Sequence, residues 1–307
     1  MDEAQSVPVC YRHKKKETYI RCVRCDRPIC PDCMNEAPVG YQCPDCVSEG
    51  RKTMRQAKST FGGSVSGAKG LVTKTLIGIN AAVFILALTM IGAEGLLGGI
   101  SPLHALGGMF SQGNHTGGII FGTQYVLPTV PNGGYYRMVT SMFLHFGVVH
   151  LAFNMVVLWI LGRVLERDLG STRFLALYLV AGLGGSVMTY LFSAPDVLSA
   201  GASGAIFGLF GAIVVINRKL SRDNSGLYVL LGMNLFLTFM VPQISWTAHI
   251  GGLITGILCG LMLAFVPRER RAVLPWVLMA ALVVVFVFLT LWQTTNLATP
   301  DVIPTIT

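Results

Sequence analysis

Eight cysteine and histidine side chains near the N-terminus are spaced for metal binding. They form four pairs with two residues between the members: Cys10 and His13, Cys22 and Cys25, Cys30 and Cys33, Cys43 and Cys46. Thiolates and imidazole at this spacing converge on one ion, and a structural zinc takes four such ligands. The series therefore predicts two structural zinc ions. We expect alternate pairs to share an ion, the first with the third and the second with the fourth.

Two other interpretations of this series fit the sequence less well. A disulfide framework needs an oxidising compartment, whereas the charge pattern described below places the segment in the cytoplasm. A catalytic zinc keeps one coordination position open, whereas eight protein ligands close both sites. The remaining cysteine, Cys259, stands in an apolar stretch far from the series, and we expect it to pack as a small apolar side chain.

A second group of polar residues lies inside apolar stretches of the chain. It consists of Ser203, His249, His150 and Asn154. His150 and Asn154 are four residues apart, so a helix would present them on one face. Polar residues within membrane segments are costly and are candidates for function, and a serine near a histidine base is the minimum for nucleophilic catalysis. The alternative for each residue is a packing role, with the serine hydroxyl bonded to a backbone carbonyl.

The composition indicates a membrane protein. The chain has 307 residues, of which 52% are hydrophobic and 12% are charged, whereas soluble domains carry about 25% charged residues. The mean hydropathy of +0.60 excludes a disordered chain and argues against a water-soluble α/β enzyme, because too little polar surface exists to cover one. Although the net charge is +8, we expect no nucleic-acid partner, because lysine and arginine flank the apolar segments.

Seven apolar segments are long enough to be candidates for crossing a bilayer. They are residues 75–92, 148–165, 173–193, 203–217, 226–242, 246–266 and 272–292, of which the fourth and fifth are short. Lysine and arginine precede the first segment and follow the second, fourth and sixth. Since these residues mark cytoplasmic loops, we expect the N-terminus in the cytoplasm and, after seven crossings, the C-terminus outside.

The polar group is predicted to occupy one layer of the membrane. At a rise of about 1.5 Å per residue, Ser203, His249 and His150 lie about 20–28 Å from the nearest cytoplasmic arginines. That depth is just below the outer surface of a hydrocarbon core about 30 Å thick. Glycine recurs every fourth residue beside Ser203 and beside His249, a pattern that lets two helices approach closely in lipid.

The sequence resembles the rhomboid family of intramembrane serine proteases over residues 75–266. The matching motifs are His145-x4-His150-x3-Asn154, Gly201-Ala202-Ser203-Gly204 and Ala248-His249-x2-Gly252-x3-Gly256. The resemblance implies an all-α membrane protein with a six-helix rhomboid core and one additional C-terminal transmembrane helix.

The same resemblance implies roles for individual residues. Ser203 would be the nucleophile and His249 its general base, while the Ser203 amide with the His150 and Asn154 side chains would stabilise the oxyanion. Phe207 would pack on the base. The reaction would need no cofactor, and its substrates would be membrane proteins with transmembrane helices. An alternative is a catalytically inactive rhomboid-like protein that binds membrane helices as a chaperone or scaffold.

The N-terminal series resembles a B-box-type zinc finger, which implies a cytoplasmic protein as a possible partner. We therefore predict four regions: a two-zinc module at 1–50, a basic flexible linker at 51–70, the protease core at 71–267, and a helix with a short external tail at 268–307. The expected location is the plasma membrane.

Residues 93–145 are predicted to form a long outer loop without strong periodicity. Its two histidines, His104 and His115, have no partner that the sequence indicates, and we expect neither to be catalytic. His145 is expected to orient the loop. Glu166 matches a structural position of the rhomboid family and, lying on the cytoplasmic side, is not a candidate acid or base.

Overall fold

The computed structural model describes residues 7–53, 59–63, 69–111, 115–120, 123–194, 197–241 and 244–297. Most of the predicted external tail, residues 298–307, lies outside these ranges. The chain divides into two compact units, Met1–Ala57 and Lys58–Thr307. Each unit is described by itself.

The first unit is small and has little regular structure. It contains a short 3₁₀ turn at Pro31–Cys33, the antiparallel strands β1 (Asn35–Glu36) and β2 (Tyr41–Gln42), and helix α1 (Pro44–Thr53). Its buried core consists of six of the paired cysteines and Ile29. Because one apolar side chain cannot supply a hydrophobic core, the cysteines themselves must hold this unit together.

The second unit is dominated by helices, and each of the seven predicted apolar segments contains one. In chain order the helices are α2 (Leu71–Ile91), α3 (Pro102–Gly107), α4 (Arg137–Thr140), α5 (Gly147–Leu169), α6 (Ser171–Phe192), α7 (Ser203–Lys219), α8 (Ser225–Met240), α9 (Trp246–Ala264) and α10 (Leu274–Leu297). Short helices α3 and α4 belong to the predicted outer loop. The prediction of a mainly helical membrane protein is confirmed.

Five helices in the described ranges are long and apolar enough to cross a bilayer. They are α2 extended to Leu97, α5, α6, α9 and α10. Helix α7 has 17 residues and α8 has 16, which agrees with the expectation that the fourth and fifth segments are short. The count of seven crossings stays a prediction.

The outer loop has more regular structure than its sequence indicates. Strands β4 (His115–Ile120) and β5 (Thr123–Pro128) form an antiparallel hairpin. Strand β3 (Met109–Phe110) pairs with β6 (Leu198–Ser199), which lies just before Ser203. This pairing was not predictable from periodicity, because two-residue strands carry none. It attaches the outer loop to the backbone that leads into α7.

Helix α7 packs most extensively against α9 and α6. A Cβ atom added at Gly252 would lie 1.9 Å from the Gly204 carbonyl oxygen, and one added at Gly256 would lie 1.9 Å from the Gly208 oxygen. Only glycine allows two helix backbones to come this close. The glycine pattern predicted to bring the serine and histidine helices together therefore forms the α7–α9 contact.

Glu166 joins three helices at the end of α5 remote from Ser203. Its buried carboxylate accepts bonds from the backbone amides of Val72 and Thr73, each at 2.9 Å, and from the hydroxyls of Thr73 and Ser171, each at 2.8 Å. A carboxylate at the first amides of α2 satisfies groups that no helix can satisfy internally. The carboxylate thus has four partners in the fold.

Part of the predicted flexible linker packs on the second unit. Residues 59–63 form a turn in which Phe61 is 2% exposed and belongs to the main apolar core. The Arg271 guanidinium lies 5.7 Å from the Phe61 ring. Phe61 is the one aromatic residue in a polar and glycine-rich segment, and its burial makes this part of the segment structural rather than a free tether.

Candidate active site and metal clusters

The four predicted active-site residues line one cavity of about 500 Å³ in the second unit. His150 and Asn154 come from α5, Ser203 from α7 and His249 from α9. The cavity also contacts the outer loop, α6 and α8. The structure therefore brings together side chains that are up to 99 positions apart in the sequence (249 − 150).

Ser203 is the first residue of α7. The first amides of a helix have no partner within it and carry a partial positive charge. The two preceding residues are fixed, because the Gly201 amide donates to the Ser141 carbonyl at 2.9 Å and the Ala202 amide to His145 Nε2 at 3.4 Å. The Ser203 hydroxyl and its own amide are thus presented on a constrained turn.

Gly201 allows the His150 ring to approach this turn. Its φ of +140° favours glycine, and an added Cβ atom would lie 2.9 Å from both Cε1 and Nε2 of His150 and 3.6 Å from Ser203 Oγ. The His150 ring and the serine hydroxyl therefore face the same small volume, which any larger residue at position 201 would fill.

Hydrogen bonds assign the His150 proton to Nε2. The Phe146 amide donates to His150 Nδ1 at 3.3 Å, so in a neutral ring the single N–H belongs to Nε2. Asn154 Nδ2 donates one of its two hydrogens to the His150 carbonyl at 2.9 Å, and among the described residues its second hydrogen has no acceptor. His150 and Asn154 therefore provide hydrogen-bond donors on this side of the cavity.

His249 is also held through its Nδ1 atom. Its Nδ1 lies 2.7 Å from Thr238 Oγ1, so Nε2 is the ring nitrogen left for the cavity. The ring stacks on Phe207 with centroids 4.1 Å apart and 16° between the planes, the contact expected from the sequence. In the described residues no hydrogen bond joins His249 to Ser203. Such bonds are often long in a free enzyme and tighten when substrate binds.

Relatives of known name match this part of the chain. The rhomboid domain model matches residues 132–266. The Bacillus subtilis rhomboid YdcA is 36% identical over 147 residues, which cover 46% of this chain and 73% of that protein. The chain belongs to the rhomboid family.

Two further rhomboids are similar over shorter shares of their length. The Bacillus subtilis rhomboid protease GluP is 40% identical over 167 residues, or 52% of this chain and 32% of GluP. The mitochondrial RHOMBOID-like protein 6 of Arabidopsis thaliana is 37% identical over 142 residues, or 44% and 45% of the two chains. The matched rhomboid domain contains the four cavity residues, and the Cys/His series lies before it.

In this rhomboid the outer-loop histidine His104 has partners, contrary to expectation. Its Nδ1 accepts from the Ser101 amide at 3.2 Å, and its Nε2 lies 3.2 Å from the His145 carbonyl. Burial lowers the pKa of His104, which favours a neutral ring that donates from Nε2. The only sequence signal was Ser101-Pro102, a typical helix start three residues earlier. The described ranges exclude the His115 side chain.

His145 continues the same chain of contacts toward Ser203. Burial lowers the pKa of His145 to about 3, so the ring is neutral and its Nε2 accepts the Ala202 amide. His104 holds the His145 backbone, and His145 in turn holds the turn before Ser203. The expectation that His145 orients the loop agrees with these contacts.

The first unit of the rhomboid brings the eight predicted zinc ligands into two clusters. Cys10, His13, Cys30 and Cys33 form one cluster, and Cys22, Cys25, Cys43 and Cys46 form the other, each with its ligand atoms within 4.8 Å of one another. These are the pairings predicted from alternate spacing. All eight cysteines of the chain are free thiols.

The distances within the clusters fit tetrahedral zinc. Bonds of about 2.3 Å to sulfur and 2.0–2.1 Å to nitrogen give tetrahedral edges of about 3.8 Å between two sulfurs and 3.6 Å between sulfur and nitrogen. Cys25 and Cys43 have sulfurs 3.7 Å apart, and His13 Nδ1 lies 3.2 and 3.4 Å from Cys30 and Cys33. The donor set of thiols and one imidazole suits zinc.

Backbone hydrogen bonds lower the pKa of Cys10 in the first cluster and of Cys22 and Cys25 in the second. Burial raises the pKa of Cys10 and Cys22, but backbone amides that donate to each sulfur outweigh it and lower the pKa of both to about 6. The Cys43 amide, for example, lies 3.2 Å from Cys22 Sγ. Because thiolate is the form that binds metal, these backbone bonds prepare the clusters for an ion.

Proposed function

We propose that this rhomboid is an intramembrane serine endopeptidase that hydrolyses peptide bonds in or beside transmembrane helices of membrane-protein substrates. The observation that carries the proposal is that Ser203, His249, His150 and Asn154 line one cavity. His150 has Nε2–H to donate, and the contact of His249 Nδ1 with Thr238 leaves Nε2 for the cavity. A serine placed with a candidate base and with hydrogen-bond donors is the arrangement that acyl transfer requires.

The proposed reaction is an acyl transfer through Ser203. Ser203 Oγ attacks the scissile carbonyl while His249 Nε2 takes the hydroxyl proton. The negative charge that forms on the carbonyl oxygen is stabilised by the Ser203 amide, His150 Nε2–H and the Asn154 amide group. His249 then returns the proton to the leaving amine, and water attacks the acyl-enzyme by the same route. This Ser–His dyad needs no cofactor.

The zinc clusters serve a different role in the proposal. Eight protein ligands would saturate two tetrahedral ions, so their zinc would be structural, as the resemblance to a B-box-type zinc finger also implies. Cys10, His13, Cys30 and Cys33 would hold one ion, and the other four cysteines the second. We assign the module to binding a cytoplasmic protein partner.

We further propose a six-helix core plus α10 as a seventh crossing, in the plasma membrane, with the N-terminus cytoplasmic and the C-terminus outside. An impermeant thiol reagent applied to intact cells should label Leu297→Cys, at the end of α10. It should leave Arg218→Cys, at the end of α7, unlabelled until the cells are opened. The reverse pattern would overturn this orientation.

The decisive test of the activity uses purified protein in proteoliposomes with a model transmembrane substrate. Ser203→Ala and His249→Ala should each lower turnover by at least about a thousandfold without additive loss in the double variant, since a dyad acts as a unit. Ser225→Ala, at an exposed serine that begins α8, is the matched control. A fluorophosphonate should label Ser203.

Two outcomes would contradict the proposal. Proteolysis retained in Ser203→Ala would remove the serine mechanism. A wild-type protein that binds transmembrane helices but neither cleaves them nor reacts with the fluorophosphonate would instead be an inactive rhomboid-like chaperone or scaffold.

A further inference from the structure

Helix α8 reaches the active-site cavity through a small polar patch. Of its 16 residues only Asn234 and Thr238 are buried, and both line the cavity. Several of its other side chains are large, apolar and exposed, including Val229, Phe236 and Met240. Within this pair, Thr238 contacts another helix through its hydrogen bond with His249 of α9.

The Thr238 hydroxyl makes two short contacts but has only one hydrogen to donate. Its Oγ1 lies 2.7 Å from the Asn234 carbonyl oxygen and 2.7 Å from His249 Nδ1. A hydroxyl donates once and accepts through two lone pairs, whereas a carbonyl oxygen can only accept. If the hydroxyl hydrogen pointed at His249 Nδ1, no proton would lie between Thr238 Oγ1 and the Asn234 carbonyl oxygen, although these two oxygens are only 2.7 Å apart. The hydrogen therefore goes to Asn234, and Nδ1 must supply its own.

This proton count determines which nitrogen of His249 is basic. A neutral imidazole has one N–H, and the Thr238 hydroxyl keeps it on Nδ1. Nε2 is then unprotonated, which is the form that can take the Ser203 proton. When His249 becomes protonated during attack, its Nδ1–H keeps the same acceptor. Thr238 thus supplies the orienting contact that a carboxylate provides in a three-residue serine site.

We infer that Thr238 is a positioning residue for the proposed reaction, holding the His249 proton on Nδ1 so that Nε2 faces Ser203 as the base. The inference rests on the proposed function. The sequence does not predict this role, because Thr238 and His249 lie on different helices and contact each other only when α8 and α9 pack at a specific rotation. Phe207 fixes the plane of the same ring by stacking, and Thr238 fixes its protonation.

The test compares Thr238→Val, which removes the hydroxyl at constant size, with Thr238→Ser, which keeps it. Thr238→Val should lower kcat by about tenfold, the effect of one neutral hydrogen bond, with KM within about twofold. It should slow fluorophosphonate labelling of Ser203 to a similar extent. Thr238→Ser should restore most of the rate. Thr290→Val is the matched control, because Thr290 is also buried, donates to a carbonyl four residues earlier at 2.8 Å, and lies in α10.

A spectroscopic readout separates this inference from the activity. In protein labelled with ¹⁵N-histidine, the His249 signals, identified by their loss in His249→Gln, should show the proton on Nδ1 in the wild type and a shift toward Nε2 in Thr238→Val. A proton on Nε2 in the wild type would overturn the inference even if Thr238→Val does not fold. A kcat of Thr238→Val within twofold of wild type would also overturn it. A wild type that has the Nδ1 proton but no proteolysis would refute the proposed function instead.

Discussion

The N-terminal module collects its metal ligands from four segments and the membrane cavity collects its four site residues from three helices, but different forces hold them. In the module the ligands are also the core, since six cysteines and Ile29 account for its buried cluster. In the cavity, the functional residues project from helices whose backbones are held together elsewhere, by glycine contacts between α7 and α9 and by Glu166 at the far end. The module should therefore unfold when its zinc is removed, whereas the cavity residues can be replaced without loss of fold.

Removal of metal tests the first half of this comparison and should have the largest effect. Structural zinc contributes about 10–16 kcal/mol of binding free energy in small zinc modules at pH 7. The purified chain should contain two zinc ions, and a strong chelator should make residues 10–46 sensitive to protease while the second unit keeps its thermal melt.

Two cysteine variants sharpen that measurement. Cys30→Ser removes a ligand of the first cluster and should lower the zinc content and expose the module to protease. Cys259→Ser, at a buried thiol in α9, should leave two zinc ions bound. A zinc content of one or none in the wild type would contradict the assignment of eight ligands.

Asn154→Ala tests whether cavity residues act on the reaction rather than on the fold. Loss of one oxyanion donor costs about 100- to 1,000-fold in turnover, or about 2.7–4 kcal/mol. We expect kcat to fall more than KM rises, and the thermal melt to stay near that of the wild type. His150→Ala should fall in the same range or lower.

The matched control is Asn80→Ala in α2. Asn80 is buried and donates its amide to the carbonyl four residues earlier, at 2.8 Å, as Asn154 does at 2.9 Å, but it lies outside the cavity. It should retain turnover. A well-folded Asn154→Ala protein with wild-type turnover would remove Asn154 from the mechanism.

Gly256→Ala tests the backbone contact that supports the cavity. The added methyl group would meet the Gly208 carbonyl oxygen at 1.9 Å, so α7 and α9 must separate, at a cost of about 1–3 kcal/mol. Gly232→Ala on α8 is the control, because nothing lies within 4 Å of its Cβ position. Gly256→Ala should lower both the melting temperature and turnover, and Gly232→Ala should lower neither. Equal melts for the two variants would show that this contact does not hold the helices.

The two regions also differ in how much of them the sequence predicts. Ligand spacing is local, so the eight residues were predictable from three Cys-x2-Cys pairs and one Cys-x2-His pair, and their pairing from the expectation that alternate pairs share an ion. The serine, histidine and asparagine of the cavity were predictable from motifs and glycine spacing. The Thr238–His249 bond, the role of His104 and the β3–β6 pairing were not, because each depends on the rotation or path of a segment that carries no periodic signal. Phe61 was missed because its polar neighbours dominate the composition of the linker.

The smallest effect is expected when the module is removed altogether. The cavity residues and the helices that carry them all belong to the unit Lys58–Thr307, so a chain that begins at residue 58 should cleave a model transmembrane substrate within about twofold of the full-length rate. The truncation must stop there, because residues 59–63 bury Phe61 in the core of that unit, and losing a buried phenyl ring typically costs about 3–5 kcal/mol. Turnover and thermal melt measured on both chains in the same proteoliposomes would check this. Turnover that falls tenfold or more at an unchanged melt would mean that the module acts on the protease directly, and its assignment to partner binding alone would be wrong.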